Sequence, residues 1–175
     1  MQLFLVRHAH ALAMDDDAAR PLSDEGRVAT ARLGAFLRGT GVFRPAQLWH
    51  SPLVRARETA DGLMAALAPE LMVVETDDLL PEDDPVLLAR RLAIYPTTHD
   101  LALVGHEPHL AALATLLVRG KVSPVMFNLK KGAVIALERT ERVHKASGWP
   151  RWRVRWVLAP ELVGTAGGND QRVGG

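Results

Sequence analysis

The chain has 175 residues, 48% of them apolar, with 21 basic and 20 acidic side chains, a net charge of +1 and no cysteine. That length and composition suit one domain with a full core and exclude a disordered chain, and the balanced charge gives no global attraction to nucleic acid or to an anionic membrane. Without cysteine, disulfides, zinc–thiolate sites and thiol catalysis are excluded.

The first predicted element is the apolar run Leu3-Phe4-Leu5-Val6, read as a buried strand. It delivers Arg7-His8-Ala9-His10 at its C-terminal end, where open α/β sheets bind ligands. The run starts almost at the first residue, without a basic flank or a longer apolar core, and no apolar stretch is long enough to span a bilayer. The expectation is a cytoplasmic protein with no signal peptide and no membrane partner. A loop follows, in which Asp15-Asp16-Asp17 reads as a solvated face. Ser23 is a helix N-cap, with Asp24 and Glu25 in the first turn, where the macrodipole favours acids. Val28, Ala31, Leu33, Ala35, Phe36 and Leu37 supply the apolar face, and Gly39 and Gly41 end the helix.

Gln47-Leu48-Trp49 is the second predicted strand, and it runs into His50-Ser51-Pro52-Leu53-Val54-Arg55. Ser51 reads as an N-cap with Pro52 at the first helical position. Leu53, Ala56, Ala60, Leu63, Met64 and Leu67 face the core at helical spacing, and Arg55 falls in the first turn, off that face. An arginine there opposes the macrodipole. It makes sense where an anion is held by free backbone N–H groups and a guanidinium fork together.

Leu71-Met72-Val73-Val74 is a third strand, followed by an acidic loop from Glu75 to Pro85 and a helix from Pro85 to Tyr95 with Val86, Leu87, Leu88, Leu92 and Ile94 as its apolar residues. Leu101-Ala102-Leu103-Val104 then repeats the first pattern: a buried strand ends in a histidine, His106, and Pro108 opens the next helix. Two such strands ending in histidine predict a common pocket. Strands over Gly132–Glu138 and Trp152–Leu158 close the chain. In the last, Trp152, Val154 and Trp156 alternate with Arg151, Arg153 and Arg155, which predicts one buried and one solvated face. Arginines interleaved with tryptophans also suit single-stranded nucleic acid, but no nucleic-acid motif accompanies them and none is expected as partner. From Glu161 onward the sequence reads as a loose tail, residues 161–175.

Leu5-Val6-Arg7-His8-Ala9, Ser51-Pro52-Leu53-Val54-Arg55-Ala56 with Thr59, and Val104-Gly105-His106-Glu107-Pro108, in that order, resemble the histidine phosphatase superfamily, grouped around phosphoglycerate mutase. Pro21-Leu22-Ser23-Asp24-Glu25-Gly26, Lys131-Gly132-Ala133 and the short length look most like the compact SixA-type phosphohistidine phosphatases. The resemblance implies one histidine phosphatase domain over residues 1–160 with an α/β fold: a three-layer α/β/α sandwich around a mostly parallel sheet. It assigns His8 as nucleophile, with Arg7, Arg55 and His106 around the phosphoryl oxygens, and it implies no metal and no cofactor. The acid that protonates an ester leaving group comes from the loop after the third strand in such proteins. Glu82, Asp83 and Asp84 are the candidates here, and spacing does not choose among them. Ala9 stands where many relatives have glycine, and His10 has no assigned role. His109 either touches substrate or, as expected, caps its helix, and His50, His99 and His144 are expected at the surface.

The expected activity is hydrolysis through a covalent phosphohistidine, on a phosphorylated protein carrying phosphohistidine or on a small phosphorylated ligand. A broad small-molecule phosphomonoesterase is the alternative enzyme. A catalytically silent phosphate-binding module is the alternative from another class. A metal site on His8, His10, His106 and His109 is a further option, and it lacks a carboxylate partner at helical spacing. The absence of a long insertion between the motifs predicts an uncovered pocket that admits a side chain still attached to a protein. Composition is silent on oligomeric state.

Overall fold

The computed structural model describes residues 1–67 and 72–163. Leu71, placed above in the third strand, lies outside them, as does the tail from residue 164; Pro160–Leu162 make a 3-10 turn. In chain order the elements are β1 (Gln2–Arg7), α1 (Asp24–Thr40), β2 (Gln47–His50), α2 (Val54–Leu67), β3 (Met72–Glu75), α3 (Pro85–Ile94), β4 (Leu101–Gly105), α4 (His109–Arg119), β5 (Val134–Val143) and β6 (Pro150–Leu158). The strands form one sheet in the order β3-β2-β4-β1-β5-β6. The first four are parallel, and β5 and β6 are antiparallel.

The parallel strands are apolar on both faces because helices cover both. Leu3 and Leu5 of β1, with Leu101 and Leu103 of β4, point toward α3 and α4. Phe4 and Val6, with Ala102 and Val104, point toward α1 and α2. This is the expected three-layer sandwich. Burying a side chain the size of Phe4 or Leu5 contributes about 1.5–3 kcal/mol each.

Helix α1 starts where its cap predicts: the Ser23 hydroxyl accepts a hydrogen bond from the Gly26 N–H at 3.1 Å. It ends at Gly41, whose φ of 66° is open to glycine at little cost. Its buried stripe is narrower than the sequence suggests. Thr30, Leu33, Gly34 and Leu37 face inward, whereas Val28 and Phe36 are exposed, because α1 meets α2 through small residues. Ile94, at the last turn of α3, is likewise exposed rather than in the core. Gly26 is required by close approach: a Cβ there would lie 2.0 Å from the His10 carbonyl oxygen.

The period-two reading of β6 fails at one residue. Ala136 pairs with Trp156 but Leu137 pairs with Val154, so Arg155 is an extra residue in a bulge. The bulge turns the strand over. Trp152 packs with the α3–α4 side of the sheet, and Trp156 packs on the α1–α2 side. Val154 is left partly exposed at the sheet edge.

Candidate active site

In the strand order, β4 returns between β2 and β1, so the C-terminal ends of these three strands lie side by side. Each carries one piece of the site. The His8 N–H donates to the Gly105 carbonyl at 3.0 Å, and the Ser51 N–H donates to the Val104 carbonyl at 3.0 Å. The loops after β1 and β2 are thus tied to the end of β4, next to His106. The rings of His8 and His106 have centroids 4.9 Å apart, tilted by 52°.

The His8 tautomer follows from one contact. Nδ1 is 2.7 Å from the Ala9 carbonyl oxygen, which can only accept, so Nδ1 carries the proton and Nε2 keeps its lone pair. Among the described residues Nε2 has no hydrogen-bond partner, and it is not among the buried unpaired atoms, so it faces solvent. Burial is the main cause that pushes the His8 pKa down to about 4, with Arg55, Arg7 and Lys131 adding to it against the Ala9 carbonyl. His106 is pushed down to about 3, by burial first and then by His8, Arg55 and His109, with Asp17 opposing. Both rings are therefore neutral at pH 7.

Arg55 is buried at the first turn of α2, as its position predicts, but it is not bare. Its NH1 donates to the Asp17 carbonyl at 2.7 Å and its NH2 to the Asp17 carboxylate at 2.9 Å. Asp17 is thus solvent-exposed, as the acidic run predicts, and pairs with Arg55 as well. Arg7 donates to the Leu129 carbonyl, and its Nε is buried without a partner among the described residues. Burial lowers the Arg7 pKa, and Glu107 nearby counters that. Glu107 is half-buried and accepts a long hydrogen bond of 3.4 Å from the Leu129 N–H. Burial raises its pKa, opposed by Leu129 and Arg7.

Two further residues join the set that local pattern does not single out for these contacts. The fully buried Thr59 hydroxyl accepts from the Ala9 N–H at 3.1 Å and donates to the Arg55 carbonyl at 2.7 Å, which ties the His8 loop to α2. Ser51 does not cap α2 as predicted. The helix begins at Val54, and the Ser51 hydroxyl instead accepts from the Leu53 N–H at 3.3 Å and meets His106 Nε2 at 2.9 Å. Lys131 also bears on His8.

The three candidate acids are placed apart from one another in role. Asp84 caps α3 by accepting from the Val86 N–H at 2.9 Å, and Asp83 accepts from the Leu80 N–H at 2.6 Å. Glu82 is exposed and has no hydrogen-bond or ion-pair partner among the described residues. Leu79, in the same loop, packs where a Gly105 Cβ would sit, which brings this loop to the end of β4.

The remaining histidines differ from expectation in two cases. His50 is buried, not at the surface, with Nδ1 donating to the Ser51 carbonyl at 2.8 Å, because β2 is an interior strand. His109 is buried, and among the described residues both its ring nitrogens are unpaired and it caps nothing. His99 is exposed, and His144 is partly buried against the Leu117 carbonyl. His10 is turned to the Ser23 hydroxyl at 2.7 Å. Among the described residues, no three or more His, Asp or Glu side chains converge as metal ligands.

A family model, the histidine phosphatase superfamily (branch 1), matches residues 3–84. An uncharacterized protein of Picosynechococcus sp. is 34% identical over 143 residues, which span 78% of this chain and 84% of that one. The chain belongs to the histidine phosphatase superfamily. Solved structures share its fold. One is the protein histidine phosphatase SixA complexed with tungstate, with a TM-score of 0.77 at 24% identity, covering 91% of this chain and 97% of that one. Another is a mycobacterial glucosyl-3-phosphoglycerate phosphatase in complex with VO3, with a TM-score of 0.69 at 19% identity, covering 90% and 99%. The superfamily fold thus carries, by their names, one protein phosphatase and one small-molecule phosphatase. Among the described residues no helix is long and apolar enough to cross a membrane.

Proposed function

We propose that this protein is a phosphatase that works through a covalent phosphohistidine on His8 and acts on protein phosphohistidine. The observation that carries the reading is the His8 tautomer: a neutral imidazole with Nε2 open to solvent, among the cationic side chains of Arg7, Arg55 and Lys131. Nε2 attacks phosphorus in line, the P–Nε2 bond forms and the bond to the leaving group breaks. Water then attacks the same phosphorus, the P–Nε2 bond breaks, and phosphate leaves with neutral His8 restored. Arg7 and Arg55 hold the equatorial oxygens, and His106 stands beside His8 around the same group. Phosphoryl transfer asks mainly for positioned cations, and these side chains supply them without a metal ion.

The substrate choice rests on the leaving group. A phosphohistidine leaves as an imidazole, which needs little help from an acid, whereas an alkoxide needs a proton donor. Asp83 and Asp84 are already engaged by backbone N–H groups, so Glu82 is the one candidate left to serve esters. A phosphomonoesterase is the second reading, favoured by that unpaired carboxylate.

A panel of phosphohistidine peptide and sugar phosphates tests the choice. The expected result is a higher kcat/KM on the peptide, with acid-labile, base-stable label trapped on His8. His8→Ala should abolish turnover while tungstate still binds, because both arginines remain. Full activity in His8→Ala, or activity lost to chelator and restored by zinc, overturns the reading.

A further inference from the structure

The acidic loop between β1 and α1 is built, not loose. Leu12 N–H donates to the Pro21 carbonyl at 2.9 Å, and Ala11 bridges Leu22, so the base of the loop is closed. The Arg20 Nε donates to the Leu12 carbonyl at 2.8 Å, and the Ala18 N–H donates to the Asp16 carboxylate at 3.0 Å. The tip is then pinned to α2: the Val54 N–H donates to the Ala18 carbonyl at 3.1 Å. At that contact Asp17 takes two hydrogen bonds from one guanidinium, one through its backbone and one through its side chain.

We infer that Asp17 is the positioning residue of Arg55. The inference rests on the reading that this pocket receives a phosphoryl group. Arg55 has five N–H donors in a plane. Asp17 occupies one on NH1 and one on NH2, the outward edge of the fork. No other described residue accepts from Arg55, and its Nε is not among the buried unpaired atoms, so the edge carrying Nε reaches solvent. One edge of the fork is clamped and the other is presented.

The clamp has its own brace. The second Asp17 oxygen accepts from the Arg20 NH1 at 2.7 Å. The Arg20 hydrogen bond first, and then Arg55, hold the Asp17 carboxyl below its usual pKa, so it is ionised wherever the enzyme works. The side chains differ in exposure: Arg55 is 6% exposed and Asp17 62%. A buried guanidinium with rotatable bonds is thus fixed by a loop whose own order comes from contacts elsewhere. A second consequence follows from charge. The carboxylate offsets part of the Arg55 charge and limits how tightly the pocket retains a free anion.

Three variants separate positioning from charge and from loop order. Asp17→Asn keeps the backbone acceptor and one side-chain oxygen for Arg55, gives up the oxygen that Arg20 uses, and removes the charge. Asp17→Ala keeps only the backbone acceptor. Asp16→Ala removes a turn contact of the same loop and leaves Asp17 in place. The expected result is that kcat/KM of Asp17→Ala falls roughly 10- to 100-fold below that of Asp17→Asn, the size of one charge-assisted hydrogen bond. Asp17→Asn should keep its kcat within about threefold of wild type and bind tungstate more tightly. Equal impairment of Asp17→Ala and Asp17→Asn, wild-type kinetics in Asp17→Ala, or a loss in Asp16→Ala as large as in Asp17→Ala overturns the assignment. Tungstate titration calorimetry distinguishes this from failure of the phosphatase reading. If wild type binds tungstate but hydrolyses nothing, that reading fails, and the clamp is judged on tungstate Kd alone. Weaker binding to Asp17→Ala than to Asp17→Asn supports it, and equal Kd values overturn it.

Discussion

Ser51 and His106 share a hydrogen bond of 2.9 Å between the hydroxyl oxygen and Nε2, across 55 residues of chain. The Ser51 oxygen also accepts from the Leu53 N–H, which leaves it one lone pair and one proton for His106 Nε2, so the tautomer of His106 sets the direction of their bond. A hydroxyl that donates to Nε2 leaves the proton of neutral His106 on Nδ1. That atom is buried with no partner among the described residues.

Ser51→Ala should therefore lower kcat/KM roughly tenfold, the worth of one hydrogen bond, with little change in Tm. Ring 15N shifts of His106 should move from one tautomer toward a mixture. Unchanged shifts and unchanged turnover would remove Ser51 from the site.

The two lowered histidine pKa values make a stability prediction with a definite sign. An unfolded imidazole titrates near 6.5, whereas His8 and His106 are held at about 4 and about 3. Between those values the unfolded chain takes up protons that the folded chain refuses. The stabilisation is complete above about pH 6.5 and is lost as pH falls through the folded pKa values. Tm should drop from neutral pH toward pH 4. Added phosphate should offset the drop more at acidic than at neutral pH, because a bound anion favours both imidazolium forms. A double His8→Asn, His106→Asn variant should flatten the slope. On the rate side, kcat/KM should hold to about pH 5 and fall below it as His8 protonates.

Two glycines of α1 should respond in opposite directions to the same substitution. Gly26→Ala places a methyl 2.0 Å from the His10 carbonyl oxygen. It should destabilise by about 1–3 kcal/mol, as overpacking against backbone does. Gly39 has nothing within 4 Å of its added Cβ. Gly39→Ala should stabilise by about 0.5–1 kcal/mol, the usual helix-interior gain. Urea unfolding of both variants checks this, and equal midpoints would contradict the packing described for the His10 turn.

Glu82 is the test of ester chemistry. If it donates a proton to an alkoxide, Glu82→Gln should cut ester hydrolysis by roughly 10²-fold or more while leaving phosphohistidine turnover near wild type. Asp83→Ala and Asp84→Ala, which remove the acceptors of the Leu80 and Val86 N–H groups, should act through stability instead. Loss of the Asp84 cap costs α3 about 1 kcal/mol. A large ester-specific loss, with esters preferred by wild type, would move the assignment to a phosphomonoesterase.

The sequence by itself determined what short-range physics controls. An apolar run such as Leu3 to Val6 becomes a buried strand wherever two helical layers cover it. Ser23 caps α1 because its acceptor lies only three residues away, at Gly26. Arg55 could be read as an anion ligand because its cost at a helix N-terminus is local. His8 and His106 were suspected of sharing a pocket because both follow buried strands. Tertiary structure decided what depends on distant partners. Asp17 looked like one acid in a solvated run until Arg55 met it across 38 residues. Ser51 reads from sequence as a helix cap and Thr59 only as part of a motif, and the fold brings them to His106 and the Ala9 N–H. Period-two counting put Trp152 and Trp156 on one face, yet one extra residue at Arg155 sends them to opposite sides of the sheet. A hydrogen bond between distant residues leaves no periodic trace, and a bulge shifts every later side chain by one, so neither has a local signature.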